Sequence, residues 1–447
     1  MRQMLCLLAA LAIAITGCSG ETKLPVATGK GTMRAVNAIK ASPTFLYRIE
    51  ERQIGAAEYK AATNPSQFDD LDYVFNFDVQ LAAADTELTR VASKALSVTK
   101  DTDYTFVISG NYDKPAITLW EAPTREWTGT ETVFEARFAH TAASLAAIDV
   151  YFAPPDTPPA VDNLLGTLTF GEILETADFE AGEYVLTVTA AGDASTVHFV
   201  SETGNRIAQL ATIFTIFDSD ENDPSPYVVR AYNTSGASLN LADARFAPRL
   251  RFFHASTALA TSDVYADETL TTPLISDHAF GDISGDLEVA AGLNALTYTA
   301  AMNVGSILFE AETNAIRGRY INFYVIGAIE ELTGVSIIPD RRSTATIGKL
   351  TVFNAATNQD PVDIYIVEPD TDIVDKFPNR PRLSLGSDPY FTNLVPASYD
   401  IYLTAVDTQT IVSGPVRIDV AAGDVIDFIA LDTVDPNVVD LQLVPAP

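Results

Sequence analysis

The stretch RFFHASTALATSDVYA, residues 251–266, carries the pattern that decides the fold. A short apolar strand ends on His254, a polar turn follows, and a second strand opens on Asp263. Two further copies keep the same nine-residue step, and they are His140 with Asp149 and Asn354 with Asp363. A diverged copy near the start of the chain runs from Arg34–Asn37 to Thr44–Tyr47 and lacks the Asp. Such self-similarity indicates tandem repeats.

Alternating apolar and polar residues follow each copy of this pattern, and the segments are rich in Val, Ile, Tyr, Phe and Thr. Period-two alternation with these residue types is typical of half-buried strands. The segments are 72–77, 182–188 and 397–403, then 103–108, 319–324 and 424–429, and finally 116–120, 336–338 and 438–444. About seven strands in a unit of about 100 residues predict an all-β chain of tandem immunoglobulin-like β-sandwich domains.

The repeats and the segments between them predict the domain layout. Stretches 121–132, 233–249 and 339–348 are enriched in Pro, Gly, Ser, Thr or Arg, as linkers are. The predicted units are a signal peptide at 1–17, a lipidated N-terminus and tether at 18–30, a diverged sandwich at 31–122, and sandwiches at 133–232, 249–340 and 348–447.

The first eighteen residues predict secretion and a membrane anchor. Arg2 precedes an apolar run, Leu5–Ile15, which is too short to span a bilayer. The run ends in Ile15-Thr16-Gly17-Cys18, which resembles the lipobox of bacterial lipoproteins. The resemblance implies cleavage before Cys18 and acylation of its sulfur with chains such as palmitate. Ser19 after the cysteine then implies the outer membrane of a diderm bacterium. The alternative is an ordinary secretory peptide cut elsewhere, which would leave Cys18 removed or free.

The net charge, the apolar runs and the cysteine count of the chain exclude several classes of function. The formal net charge of −31 repels nucleic acid phosphates, so nucleic acid is excluded as a partner. After the signal peptide no run of eighteen apolar residues occurs, so no second membrane span is expected. Cys6 and Cys18 are the two cysteines, which leaves no thiol pair for a disulfide in the mature chain.

The repeat pattern resembles a bacterial family, domain of unknown function 4397, whose members open with a strand, a His-Ala-Ser type of turn and an Asp-Val-Tyr strand. His254-Ala255-Ser256 with Asp263-Val264-Tyr265 is the best match. The resemblance extends over most of residues 31–447, although the first repeat departs from it. It supports the fold and implies no activity.

The repeated polar residues are predicted to have a structural role in turns. His and Asn alternate at one position of the repeat, and both hydrogen-bond nearby backbone and tolerate left-handed conformations. Catalytic groups would not be exchanged in this way along one chain. We therefore assign a structural turn role to His140, Asp149, His254, Asp263, Asn354 and Asp363.

An acidic loop at 218–223 is the candidate metal site. Asp218, Asp220 and Asn222 supply oxygen at alternate positions, as the start of a calcium loop does. Asp223 stands where an EF-hand needs glycine, and Val229 stands where it needs glutamate, so an EF-hand is excluded. An irregular calcium site and a solvated acidic loop remain as alternatives.

The mature chain contains none of the common catalytic motifs. Ser97-Val98-Thr99-Lys100 matches Ser-x-x-Lys by chance, because it precedes a strand and lacks its companion motifs. Trp120 and Trp127 flank a linker, where packing at a domain junction is favoured over sugar stacking. We expect a lipid-anchored, non-enzymatic cell-envelope protein with no cofactor apart from the calcium alternative, whose partner is an envelope protein or polysaccharide. The alternative is a carbohydrate-active enzyme or ligand-binding protein with a carboxylate site at a domain junction.

Overall fold

The computed structural model describes residues 25–80, 87–267, 269–328 and 330–446. Its strands form eight sheets, which combine in pairs into four consecutive sandwiches. The prediction of an all-β chain of tandem β-sandwich domains is therefore confirmed. Within the described ranges, no helix has the length and apolar character needed to cross a membrane.

The first two domains contain eighteen strands and one short 3-10 helix at Val161–Asn163. The strands of the first domain are β1 Lys30–Asn37, β2 Phe45–Ile49, β3 Arg52–Ala57, β4 Ser66–Asp69, β5 Asp72–Val79, β6 Thr89–Ser97, β7 Thr102–Asn111 and β8 Lys114–Pro123. The strands of the second are β9 Val133–His140, β10 Ile148–Ala153, β11 Leu164–Leu168, β12 Ala177–Glu180, β13 Gly182–Ala190, β14 Asp193–Val200, β15 Gly204–Arg206, β16 Ala211–Asp218, β17 Tyr227–Asn233 and β18 Ser238–Leu241.

The last two domains have eight strands each. Those of the third are β19 Arg249–His254, β20 Ser262–Tyr265, β21 Ile275–His278, β22 Leu287–Glu288, β23 Gly292–Ala300, β24 Asn303–Ala315, β25 Tyr320–Ile326 and β26 Thr333–Ile337. Those of the fourth are β27 Gly348–Asn354, β28 Val362–Val367, β29 Arg380–Leu383, β30 Tyr390–Leu394, β31 Ala397–Ala405, β32 Ile411–Val420, β33 Val425–Asp432 and β34 Val439–Leu443.

All four domains share one topology. In the first, one sheet has the order β4-β1-β7-β8 and the other β3-β2-β5-β6. The other three domains repeat these orders, and the second domain adds β15 to one sheet and β18 to the other. The first strand of every domain runs parallel to a later strand of the same sheet: β1 to β7, β9 to β16, β19 to β25 and β27 to β33. Within the described residues each domain thus has at least eight strands, against the prediction of about seven. The predicted linker 233–249 also contains β18, which extends the second domain to Leu241.

Each sandwich encloses its own apolar core, because its two sheets turn alternate side chains inward. Phe75 and Phe106 lie in the core of the first domain, and Phe252 and Phe323 lie in the core of the third. The second and fourth domains have separate clusters of the same kind.

The outer face of the sheet that contains this parallel pair of strands is also buried. Val36, Val107 and Trp120 of the first domain pack against Phe217 and Val228 of the second. The third and fourth domains meet in the same way, through Phe253, Tyr324, Phe353, Ile429 and Leu431. The chain therefore forms two pairs of sandwiches that pack back to back.

Candidate functional site

The repeated His or Asn closes the first strand of each domain. His140 is fully buried, and its Nδ1 accepts a hydrogen bond from the backbone N–H of Ala142 at 3.3 Å. Asn354 Oδ1 accepts the equivalent N–H, that of Ala356, at 3.1 Å. Asn37 does the same for Ile39 at 3.0 Å. Both residue types offer an acceptor at the δ position to the residue two places on, which explains their exchange.

His254 differs from its counterparts. Its Nδ1 has no hydrogen-bond partner among the described residues, and its Nε2 lies 3.4 Å from the carbonyl oxygen of Ala260. The ring of His278 stands beside it, with 5.6 Å between the ring centroids. Both nitrogens of His278 also lack a partner within the described ranges. Burial, helped by the neighbouring His254, lowers the pKa of His278 to about 4.

The repeated Asp joins two turns to the second strand of its domain. Asp263 accepts backbone N–H groups from Asp277 and Met302, both at 2.9 Å. Both donors have a positive φ, 54° and 59°. Asp363 accepts from Arg382 and Asp407, which also have a positive φ. In the second domain, Asp149 accepts from the backbone of Gly192 at 2.8 Å and from the Thr167 hydroxyl at 2.5 Å. In the third and fourth domains the carboxylate thus holds non-glycine residues in the strained left-handed region.

The first domain replaces this arrangement with an ion cluster. Leu46 takes the place of the Asp, nine residues after Asn37, and it pairs across the sheet with Asp78. Asp78 is buried and forms ion pairs with Arg48 at 3.1 Å and Arg90 at 3.0 Å. The buried carboxylate of the first domain therefore lies on the neighbouring strand, β5. Its partners are arginine side chains, whereas the repeated Asp of each other domain accepts hydrogen bonds from backbone N–H groups.

The acidic loop 218–223 lies at the junction with the first domain. Lys60 is buried and forms ion pairs with Asp223 and, at 3.1 Å, with Asp220. Asp218 accepts the backbone N–H of Ser144 at 3.3 Å. In the described part of the chain no three His, Cys, Asp or Glu side chains are grouped to hold a metal ion. Calcium binding stays a prediction, and an ion bound by Asp220 would compete with Lys60.

Asn222, on the same loop, forms hydrogen bonds to the segment that connects the third and fourth domains. Its Nδ2 donates to Asp340 Oδ1 at 3.0 Å, and its Oδ1 accepts the backbone N–H of Arg341 at 2.6 Å. The segment 340–347 connects the third and fourth domains and thus contacts the second.

Of the other two predicted features, Cys18 lies outside the described residues. Trp120 is buried and donates from Nε1 to the Gly171 carbonyl of the second domain at 2.9 Å, so it seals that junction.

A cavity of about 480 Å³ lies where this segment meets the first and fourth domains. The backbone N–H of Ala345 donates to the carbonyl oxygen of Ala41 at 2.7 Å, and Arg342 Nη1 donates to that of Ser42 at 3.2 Å. These bonds fix one wall against the first domain. The fourth domain supplies Lys349 from β27 and Phe391 from β30 to the opposite wall.

Four charged side chains line the cavity and form two pairs. Arg342 Nη2 lies 3.3 Å from Glu58 Oε2, and the buried Lys349 pairs with Asp340. Burial raises the pKa of the Asp340 carboxyl, but hydrogen bonds from Lys349 and Asn222 outweigh it and hold the pKa below its usual value. Asp340 is therefore ionised at neutral pH and holds no proton to donate.

The composition of these residues predicts a linker and gives no indication of the cavity. A usable signal was present, since Arg341 and Arg342 are adjacent cations in a chain with 59 acidic and 28 basic side chains. Adjacent cations in a strongly acidic protein indicate a contact that needs positive charge. The sequence does not show which distant carboxylates they meet.

Residues 248–365 match the family described as domain of unknown function (DUF4397). This range covers the third sandwich and continues into β28 of the fourth. The match confirms the resemblance carried by His254 and Asp263. No match was found among the curated proteins.

Two solved structures were found to be similar at low identity. The chain is 9% identical to the Bacillus anthracis TIE protein, over 88% of this chain and 69% of that chain, with a TM-score of 0.15. It is also 9% identical to a variant of BcpA, the major pilin subunit of Bacillus cereus, over 90% of this chain and 99% of that chain, again with a TM-score of 0.15. This TM-score establishes no common fold.

Proposed function

We propose that this chain is a lipid-anchored, non-enzymatic protein of the bacterial cell envelope, attached through Cys18 at the outer membrane of a diderm organism. Its four sandwiches would act as one body in binding or in envelope structure. The observation that supports the single-body part of this proposal is the position of the buried cations. Every buried Lys or Arg of the described residues contacts another domain or a linker, and these are Arg34, Lys60, Arg137, Arg251, Arg342 and Lys349.

These contacts support a body built for rigidity. Burying a charged side chain is costly unless it is paired and hydrogen-bonded, so a flexible string of domains would gain nothing from it. Loops carried on rigid sandwiches are a common way to present a binding surface. An envelope protein or polysaccharide is the proposed partner.

The enzyme alternative placed a carboxylate site at a domain junction. Glu58 and Asp340 do lie at such a junction, but each is paired with a cation. A glycosidase needs one carboxyl that stays protonated to act as an acid. The lowered pKa of Asp340 supports binding over acid catalysis at this place.

The anchor is tested by expressing the full chain in a diderm host fed with an alkyne analogue of palmitate. We expect the wild type to be labelled and to sediment with outer membranes, and Cys18→Ser to lose both properties. Cys6→Ser is the matched control, because that residue leaves with the signal peptide, and it should be labelled like the wild type. Equal labelling of Cys18→Ser, or a wild type found in the soluble fraction, would contradict the proposal.

A further inference from the structure

Lys60 lies in a buried contact between the first and second domains. Its side chain is 5% exposed, and its Nζ contacts the carboxylate of Asp223, whose side chain is 4% exposed. A second carboxylate, that of Asp220, lies 3.1 Å from the same Nζ and is 2% exposed. One amine and two carboxyl groups are therefore enclosed together at this junction.

Hydrogen bonds to the backbone hold these groups in place. Lys60 has a positive φ of 64°, a strained conformation for this residue type. Its N–H donates to the Asn37 carbonyl oxygen at 2.9 Å, and its own carbonyl oxygen accepts the Tyr232 hydroxyl at 2.7 Å. Asp220 Oδ1 accepts the backbone N–H of Asn222 at 3.0 Å. Groups fixed in contact react as parts of one molecule, which lowers the entropic part of the barrier.

The surroundings of the three groups are aromatic. Lys60 Nζ lies 5.5 Å from the centroid of the Tyr59 ring, which packs edge-on against Phe217 at 6.0 Å. Two ionised carboxylates beside one ammonium would bury a net negative charge, which is costly. Retention of one proton by the two carboxyl groups removes this cost. The remaining carboxylate can then take a proton from the amine, as activation of a lysine nucleophile requires.

Lys349, the other buried lysine among the described residues, lacks this combination. It pairs with one carboxylate, that of Asp340, whose side chain is 44% exposed. Water reaches that carboxylate, and the described residues place no second carboxylate in an ion pair with Lys349. The remaining buried cations are arginines, whose guanidinium groups are not deprotonated in proteins. Burial, contact and a neighbouring base therefore coincide at Lys60.

We propose that Lys60 and Asp223 join in an intramolecular amide bond that links the first domain covalently to the second. The Lys60 ammonium gives one proton to the Asp220 carboxylate. The Nζ lone pair attacks Cγ of the protonated Asp223 carboxyl, the bond from Cγ to the hydroxyl breaks, and the hydroxyl leaves as water with a second Nζ proton. The third proton stays on the amide nitrogen, and Asp220 is left protonated. Atoms and charge balance, and the reaction needs no cofactor or oxidant. This inference goes beyond the proposed function and does not depend on the anchor.

The test is mass spectrometry of the full chain, denatured and digested with trypsin, which cuts after free lysine and arginine. In the wild type we expect no cut after Lys60. Peptide 53–90 should instead be joined to peptide 207–230, with a mass lower than their sum by one water molecule. Lys349 is the internal control, because trypsin should cut after it completely.

Three variants separate the roles of the residues. Lys60→Arg keeps a cation but offers no nucleophile, and Asp223→Ala removes the acceptor carboxyl, so neither should contain the joined peptide. Asp220→Asn keeps both reacting groups, and loss of the base should slow cross-linking at least about a hundredfold. Asp218→Asn is the matched control on the same loop. Its carboxylate binds the backbone of Ser144, so cross-linking should proceed as in the wild type.

The wild-type digest decides the inference without relying on the folding of any variant. Cleavage after Lys60 together with a free peptide 207–230 would overturn it, and so would a joined peptide in Lys60→Arg. If Asp220→Asn cross-links as fast as the wild type, the role of Asp220 as the base is overturned. Absence of the joined peptide with normal palmitate labelling would reject this inference alone, and failure of labelling would reject the anchor alone.

Discussion

His278 occupies a core position that the second and fourth domains fill with leucine. It pairs with Ser262 across the sheet, where Leu383 pairs with Val362 and Leu168 pairs with Ile148. In the unfolded chain a histidine has a pKa of about 6.5, and in the fold it is lowered to about 4. Between these two pKa values, the histidine therefore binds a proton in the unfolded state but not in the folded state. Stability of the third domain should fall as the pH drops from about 6.5 to about 4.

We predict that His278→Leu stabilises the third domain by about 1–3 kcal/mol at neutral pH, because it removes two unpaired buried nitrogens. It should also reduce the loss of stability between pH 7 and pH 5. The measurement is the urea concentration at which amides of β25 become open to hydrogen exchange, at each pH. The reciprocal change Leu383→His in the fourth domain should make β33 acid-sensitive. An unchanged pH dependence in both variants would contradict this account.

Asp263 holds two left-handed residues with one carboxylate, so its charge state and its shape both matter. We predict that Asp263→Asn costs the third domain about 1–3 kcal/mol, since an amide N–H₂ then faces a backbone N–H. The same exchange measurement on β25 reports this loss. Glu310→Gln removes one exposed charge from β24 of the same domain and should have little effect. Equal effects of the two substitutions would show that charge, and not the turn geometry, matters.

The nine-residue step made the His, Asn and Asp positions recognisable as turn residues from sequence, but it did not reveal their partners. The N–H groups that Asp263 accepts come from residues 14 and 39 positions away. Local propensity carries no information on such distances. For the same reason, the sequence did not show that Asp78 supplies the carboxylate that is missing at Leu46 in the first domain.

At the scale of the strand, alternation predicted the long strands well and failed for the short ones. Strands such as β4 and β22, with four and two residues, are too brief to show a period. Strands β19 and β27 are buried on both faces, and each contains two consecutive apolar residues, Phe252-Phe253 and Val352-Phe353. Consecutive apolar residues in a strand indicate a second buried face, which here is covered by the partner domain.

Neighbouring residues on β27 should therefore respond differently to the same substitution. Phe353 faces the third domain, where its ring centroid lies 4.1 Å from that of Tyr324. Val352 faces the core of the fourth domain. We predict that Phe353→Arg separates the third and fourth domains and leaves both folded, and that Val352→Arg unfolds the fourth domain because it buries an unpaired charge.

Limited proteolysis distinguishes the two outcomes. Phe353→Arg should expose the segment 339–347 to cleavage and yield two resistant fragments, whereas Val352→Arg should lead to digestion of residues 348–446. Cleavage of the fourth domain in both variants would contradict the assignment of separate faces.

At the scale of the whole molecule, composition and repeats predicted an acidic chain of four sandwiches, but not how they assemble. The two back-to-back pairs depend on outer faces whose apolar residues look like ordinary strand positions. The closure through residues 340–347 depends on a segment whose composition is that of a linker. Arg341 of this segment binds Asp286, and Arg342 binds Glu58 and Ser42. The sequence does not show these contacts, because the partners are distant along the chain and only the fold brings them together.

Closure predicts that the first domain can be joined covalently to the 340–347 segment without strain. Ala345 donates its backbone N–H to Ala41 at 2.7 Å, a contact compatible with the Cα separation of about 4.4–6.8 Å that a disulfide requires. The natural sequence has two cysteines, and under the proposed anchor Cys6 leaves with the signal peptide and the Cys18 sulfur is acylated, so neither offers a competing thiol. We predict that Ala41→Cys/Ala345→Cys forms an intramolecular disulfide under mild oxidation, seen as faster migration on a denaturing gel without reductant. Each single variant should migrate as the wild type does. If the double variant forms only intermolecular disulfides, the 340–347 segment does not lie against the first domain in solution, and the cavity at that junction does not exist as described.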